Sequence, residues 1–229
     1  MLVIPPSHQV LFLPSGPEVM ANLELAGRTC YKSEHRITPD SAASFVRAII
    51  KSGHHSVIEH ASITVRFVCD RGVSHELVRH RLAAYSQEST RYANYGQERF
   101  GREITVIRPL FWPRGSAAYA RWERAMREAE TAYLELLDLG AKPQEARTVL
   151  PNSLKTEIVM TANLREWRHV FNLRCAQPAH PQIREIMLPL LAELSQGLPV
   201  IFEDLAQRFA PEIQSMALLR QELDQPPEA

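Results

Sequence analysis

Apolar positions recur along this chain with two periods, and the switches between them lay out its elements. Between Ser116 and Leu139, the residues Tyr119, Trp122, Met126, Ala129, Tyr133 and Leu136 fall at steps of three and four. That is the spacing of one helix face, and Gly140 with Pro143 ends it; the aromatics read as core rather than as a cofactor box. Two earlier helices are predicted over 17–31 and 39–52, the second stopped by Gly53. The β-branched stretch 62–69 predicts a strand, 103–108 another and 154–161 a third. Asn163 then offers a cap to a helix that carries Leu164, Trp167, Val170 and Phe171 and ends near Arg174. A further helix carries Ile183, Ile186, Met187, Leu190 and Leu194, with a kink expected at Pro189. Strands and helices mix without a regular βαβ rhythm. This predicts an α+β class, a mixed or antiparallel sheet packed with helices in one domain.

Composition narrows the picture. The 229 residues are 45% hydrophobic and 23% charged, a globular balance. The domain is expected to span 1–220, followed by a polar, loosely ordered tail at 221–229 that carries Pro226-Pro227. No apolar run approaches the roughly 18 residues that span a bilayer. The start Met1-Leu2-Val3-Ile4-Pro5-Pro6 lacks the basic and apolar regions of a signal peptide. Cys30, Cys69 and Cys175, odd in number and far apart, suggest reduced thiols in a cytoplasmic protein. Lys plus Arg and Asp plus Glu both total 26, so no bulk charge draws the chain to nucleic acid or an anionic membrane. Any phosphate must be gripped locally. The nine glycines never form Gly-x-Gly, so a nucleotide cofactor here is not held by a Rossmann turn or a P-loop.

Histidine is concentrated in one zone: His54, His55, His60, His75 and His80 are five of nine. A zinc hydrolase is one reading, but no His-Glu-x-x-His is present and no Cys or carboxylate completes a set, so no metal is expected. The next block runs Arg79-His80-Arg81-Leu82-Ala83-Ala84-Tyr85-Ser86-Gln87-Glu88-Ser89-Thr90-Arg91-Tyr92. A basic triplet alone is usually a solvated face. If 73–82 is helical, Arg79 and Arg81 point about 200° apart and serve two ligands, or two edges of one at a subunit boundary. If the segment beyond is extended, Ser89 and Arg91 point the same way, a hydroxyl beside a guanidinium fork and a good phosphate clamp, with Thr90 facing away. A nucleic-acid-binding reading of these arginines is opposed by the zero net charge and an aromatic content of 7%.

Arg79-His80-Arg81, seven residues, then Ser89 resembles the signature of the flavin-dependent thymidylate synthases, and Ser89-Thr90-Arg91-Tyr92 continues the likeness. Gly53-His54-His55-Ser56-Val57-Ile58-Glu59-His60 resembles that family's Gly-His-x-Ser-x-x-Glu-His segment. Ala146-Arg147-Thr148-Val149-Leu150-Pro151 is similar to its Ala-Arg-x-x-Leu-Pro. Asn163-Leu164-Arg165 with Leu173-Arg174 is similar to its Asn-x-Arg … Leu-Arg helix. The resemblance implies conversion of dUMP to dTMP, with methylenetetrahydrofolate as carbon donor, NADPH as reductant and FAD between them. It also implies a homotetramer whose sites combine subunits.

By that resemblance, Ser56, Arg79, His80, Arg81, Gln87, Asn163, Leu164, Arg165 and His169 meet FAD. Glu76, Arg79, Gln87, Glu88, Ser89, Thr90, Arg91, Arg147 and Arg174 meet dUMP, with Ser89 and Arg91 nearest the phosphate. His54 takes a positioning role near flavin and folate. Arg174 matches the activating residue. Methylation at uracil C5 needs that carbon made nucleophilic, and a permanent cation at N3 and its flanking carbonyls stabilises the charge that does so. The family uses no enzyme cysteine at C6, and here Cys175, beside Arg174, reads as packing. Ser89 lacks a fixed general base and reads as a phosphate donor rather than a nucleophile. Three places depart from the family's commonest pattern: Glu76 stands for Gln, Ser86 for Asn, and Ala179-His180-Pro181-Gln182 for Ala-Gln-Trp-Glu. A carboxylate at 76 repels phosphate unless a cation pairs with it.

Overall fold

Strict alternation of buried and outward residues marks the two longest strands, and a computed structural model describing residues 1–224 shows why. In chain order, β1 (Leu2–Ile4) and β2 (Ser7–Phe12) precede α1 (Gly16–Thr29) and α2 (Ser41–Lys51). A 3-10 segment, His55–His60, leads into β3 (Ser62–Asp70), α3 (Arg71–Leu77) and β4 (Ala83–Gln87). Then come β5 (Thr105–Ile107), α4 (Ala117–Asp138) and the single turn α5 (Pro143–Ala146). β6 (Lys155–Asn163) runs directly into α6 (Leu164–Arg174), followed by α7 (Pro181–Gly197), α8 (Pro199–Arg208) and α9 (Ala210–Asp224).

β3 and β6 pair antiparallel along their whole length, from Ser62 opposite Asn163 to Asp70 opposite Lys155. β2 and β4 flank them, giving a four-stranded antiparallel sheet in the order β2-β3-β6-β4. Ile63, Val65, Phe67, Ile158 and Met160 turn one face to the helices, while Thr64, Arg66, Glu157, Val159 and Thr161 alternate on the other. The fold is therefore α+β in one domain, as the pattern predicts. β1 and β5 form a separate parallel pair.

The main core lies between that sheet and α1, α2, α6, α7 and α8. Trp167 stacks on Phe171, Phe171 meets Phe202 edge-on, and the Trp167 indole N–H donates to the Ile63 carbonyl at 3.1 Å. α7 is apolar nearly all round, which suits a helix buried in the middle, and it runs continuously through Pro189. A lesser apolar cluster, with Tyr95, Ile104, Val106, Met126, Tyr133, Ala146 and Leu154, sits under α4. Between β5 and α7, Arg108 and Glu185 form an ion pair at 3.2 Å with both side chains almost wholly buried.

Two local expectations are corrected. The helix read over 73–82 ends at Leu77: Asp70 caps its start through the Val73 N–H, and the Arg79 and His80 amides close a tight turn onto Glu76 and Leu77. Arg79 and Arg81 therefore lie on a turn, and the helical angle between them does not apply. Nor is the segment at Ser89 extended. Its carbonyl accepts from the Tyr92 and Ala93 amides and its hydroxyl from the Arg91 amide, the hydroxyl-to-backbone bonding that serine favours in turns. The tail expected from Gln221 is, over 221–224, the end of α9; the rest of it lies outside the described residues.

Candidate functional site

The turn between α3 and β4 carries the basic triplet, and the middle residue points inward. The Tyr85 hydroxyl, on β4, reaches the Leu77 and His80 carbonyls at 2.6 and 2.8 Å and fixes the turn; burial raises that phenol to about 12. His80 is only 4% exposed. Arg174, the last residue of α6, donates from Nε to His80 Nε2 at 2.9 Å. Its Nη1 donates to Glu76 Oε2 at 2.7 Å and its Nη2 to the Glu76 carbonyl at 3.2 Å.

This geometry fixes a protonation state. A guanidinium can only donate, so His80 Nε2 must present a lone pair and the ring must be neutral, with its proton on Nδ1. Burial, with Arg174 and His169 nearby, lowers the imidazole to about 4, in agreement. Nδ1 faces Glu166 Oε1 at 3.4 Å, and His169 meets the His80 ring edge-on at 5.8 Å. Three of the five N–H bonds of Arg174 are used within the chain, leaving one on Nη1 and one on Nη2 for a ligand. Glu76 thus faces a cation, the condition on which a carboxylate at that position is tolerable.

A second group gathers at the far end of β4, about 13 Å along the strand from its start. The Gln87 amide donates to the hydroxyls of Ser74 and Thr156 at 3.0 and 3.2 Å. Glu88 accepts from Lys155 Nζ, the Tyr95 hydroxyl and the Glu157 amide. Burial alone would lower the Lys155 ammonium, but Glu157 and Glu88 outweigh it and hold it raised. Arg147 Nη1 donates to the Thr90 hydroxyl at 3.3 Å, so Thr90 faces Arg147 and is largely buried. Arg91 stands exposed over the Tyr92 ring at 5.6 Å. Arg147, Thr90, Arg71 and Pro151 border a depression of about 340 Å³, and Gln87, Glu88, Ser89 and Lys155 border one of about 690 Å³. Neither reaches Arg174.

The remaining predicted residues lie outside these two hydrogen-bonded groups, with Arg79 and Arg81 flanking His80 on its turn. His54 and Ser56 are exposed at the 3-10 segment, which the Glu59–Arg165 ion pair ties to the start of α6. Asn163 caps α6 by accepting the Glu166 amide at 2.9 Å. The Leu164 side chain is in the core and its amide donates to the Ala61 carbonyl. Arg79 and Arg81 are exposed. Four outward side chains, the hydroxyl of Ser56 and the guanidinium groups of Arg79, Arg81 and Arg165, are the donor set that an anionic diphosphate cofactor needs, so the residues fit a flavin dinucleotide.

Sequence reasoning missed Glu166, Tyr85, Lys155, Ser74 and Thr156. Glu166 had a signal: it lies three residues before His169, on the same face of α6. The five clustered histidines scatter, with His54, His60 and His75 exposed and His80 buried. Among the described residues, no three His, Cys, Asp or Glu side chains converge on a metal-sized site. Burial raises the Cys175 thiol to about 12, which leaves it inert at neutral pH. No helix among the described residues is long and apolar enough to cross a membrane.

Comparison with known proteins points to one family. A family model described as "Thymidylate synthase complementing protein" matches residues 15–200. The flavin-dependent thymidylate synthase of Geobacter sulfurreducens is 35% identical over 203 residues, covering 86% of each chain. That of Pyrococcus furiosus is 34% identical over 171 residues, 74% of this chain and 69% of its own. The Mycobacterium tuberculosis enzyme is 35% identical over 196 residues, 80% of this chain and 78% of its own.

Proposed function

The chain belongs to the flavin-dependent thymidylate synthase family, and from that premise we propose that it methylates dUMP reductively to dTMP, using FAD, methylenetetrahydrofolate and NADPH. The observation that carries this reading is Arg174, gripped by Glu76 and a neutral His80 with two N–H groups left over. A fixed cation of that kind suits the anionic form of a pyrimidine imide, the form in which C5 is nucleophilic. Because the guanidinium is already oriented and half-buried, little reorganisation accompanies its engagement.

Ser89, Arg91 and Arg147 hold the phosphate, and Gln87 and Glu88 lie between that grip and the base. Ser56, Arg79, Arg81, Asn163, Leu164, Arg165 and His169 hold the flavin, with His80 supporting from within and His54 positioning its neighbours. When bound, the flavin supplies the reducing equivalents that a one-carbon unit needs to become a methyl group. No thiol takes part, in keeping with the raised Cys175. The site residues fall into separate groups on one chain, which favours sites completed by neighbouring subunits of a homotetramer. Free thiols and this chemistry favour a cytoplasmic location.

One experiment tests the reading. The purified protein is expected to absorb in the visible, to bleach anaerobically with NADPH, and to form dTMP only when dUMP and methylenetetrahydrofolate are both present. A colourless protein that cannot be reconstituted with FAD refutes it.

A further inference from the structure

We propose that Glu166 is a positioning residue that sets the orientation of Arg174 by fixing the tautomer of His80. The proposal rests on the role given to Arg174 above and adds a residue outside the motif positions assigned to cofactor or substrate. Glu166 is the third residue of α6, where an acidic side chain commonly reaches back to cap the helix. Here Asn163 alone makes the cap, through the Glu166 amide. The Glu166 carboxylate makes no hydrogen bond among the described residues. It is 5% exposed, and the polar atom it faces is His80 Nδ1, 3.4 Å away. A buried carboxylate is costly unless something answers its charge.

The groups around His80 settle what that answer is. Glu166, His169 and Arg174 on α6 face the ring, while Glu76 on α3 grips Arg174 and Tyr85 on β4 bonds the His80 carbonyl. With the proton on Nδ1, an N–H faces the carboxylate and a lone pair faces the Arg174 Nε–H. With the proton on Nε2, a lone pair faces the carboxylate and two N–H groups oppose each other across 2.9 Å. Glu166 therefore selects the first arrangement, and only that one lets His80 accept from Arg174. Tyr85 contacts the backbone of this turn rather than the ring, so it holds the ring in place without choosing its tautomer. Glu76 grips the other side of the guanidinium, and the two remaining N–H groups are thereby aimed rather than left to rotate.

The test reads the tautomer and the turnover separately. In holoenzyme labelled with 15N-histidine, the His80 signals are assigned by their loss in His80→Gln. They are expected at pH 7 to show a protonated Nδ1 and a bare Nε2, with that preference weakened in Glu166→Leu, where Arg174 acts alone. A wild-type ring protonated on Nε2 overturns the proposal. In steady state, Glu166→Leu is expected to lower kcat about tenfold, the scale of one oriented charge-assisted contact, with KM for dUMP and flavin absorbance little changed. Glu166→Gln keeps an acceptor against Nδ1 and is expected to recover most of that loss. An undiminished kcat in Glu166→Leu, or no recovery in Glu166→Gln, overturns it. A wild-type protein with the expected tautomer that forms no dTMP refutes the proposed reaction instead, so the two failures are distinct.

Discussion

Arg174 Nε and His80 Nε2 lie 2.9 Å apart, and hydrogen-bond donation between them can run only from arginine to histidine. Acid breaks this contact, because protonated His80 has no lone pair to offer. In the folded protein burial holds the imidazole down to about 4, whereas in the unfolded chain it protonates near the ordinary histidine value of 6.5. The unfolded state thus binds more protons in the window between those values. Stability contributed by His80 is full above pH 6.5 and is lost as pH falls toward 4, by on the order of 3 kcal/mol. Urea unfolding of wild type and His80→Gln at pH 7 and 4.5 checks this: the gap between them is expected to narrow in acid. A gap independent of pH contradicts it. The difference also cancels Asp70, whose carboxyl burial pushes up and whose contribution runs the opposite way.

Arg174→Ala removes the oriented cation and leaves the outward Arg79, Arg81 and Arg165 in place. dTMP formation is expected to drop by about 10²-fold or more, the scale of losing one preorganised electrostatic partner. The visible flavin spectrum is expected to persist. Loss of flavin from the purified variant would reassign Arg174 to cofactor binding.

Arg91 is exposed and its side chain meets only the Tyr92 ring among the described residues, so Arg91→Ala costs the fold little. Its effect is expected in recognition: a dUMP affinity weakened about tenfold, the scale of one charge-assisted phosphate contact, with the melting temperature unchanged. Calorimetric titration of dUMP into the flavin-loaded variant measures it, and an unaltered affinity speaks against the clamp.

The Arg108–Glu185 pair makes a stability prediction of its own. Removing one member takes a counter-charge from the buried other, so Arg108→Met is expected to destabilise the protein by about 3–5 kcal/mol. Arg108→Met combined with Glu185→Leu is expected to recover much of that loss. A double-mutant cycle in urea gives the coupling directly.

Strands β3 and β6 and helices α4 and α6 were legible because each carries its own pattern: alternation in the strands, steps of three and four in the helices, and side-chain caps at Ser116 and Asn163. What the sequence hid was set by distant partners. Ala83–Gln87 has little strand character alone and becomes β4 by pairing with β6. α3 stops at Leu77, where the Tyr85 hydroxyl takes the carbonyl that a longer helix would have used. The motif residues of the site were readable as types and spacings. Glu166 was not, because a cap sequence at Asn163 gives an acidic residue there an ordinary explanation. Pro5-Pro6 likewise obscured the short strands on either side.

The two apolar clusters divide the labour of the site. Arg174 grows from a helix rooted in the larger one through Phe171 and Cys175, while Arg147 follows Ala146 of the smaller, and Glu88 is hydrogen-bonded to its Tyr95. On the roles proposed above, a lineage could therefore soften or retune the lesser cluster and alter how firmly an anion is retained without disturbing the cation proposed to act on the ring. Retention and reactivity would drift under separate selection, each with its own scaffold.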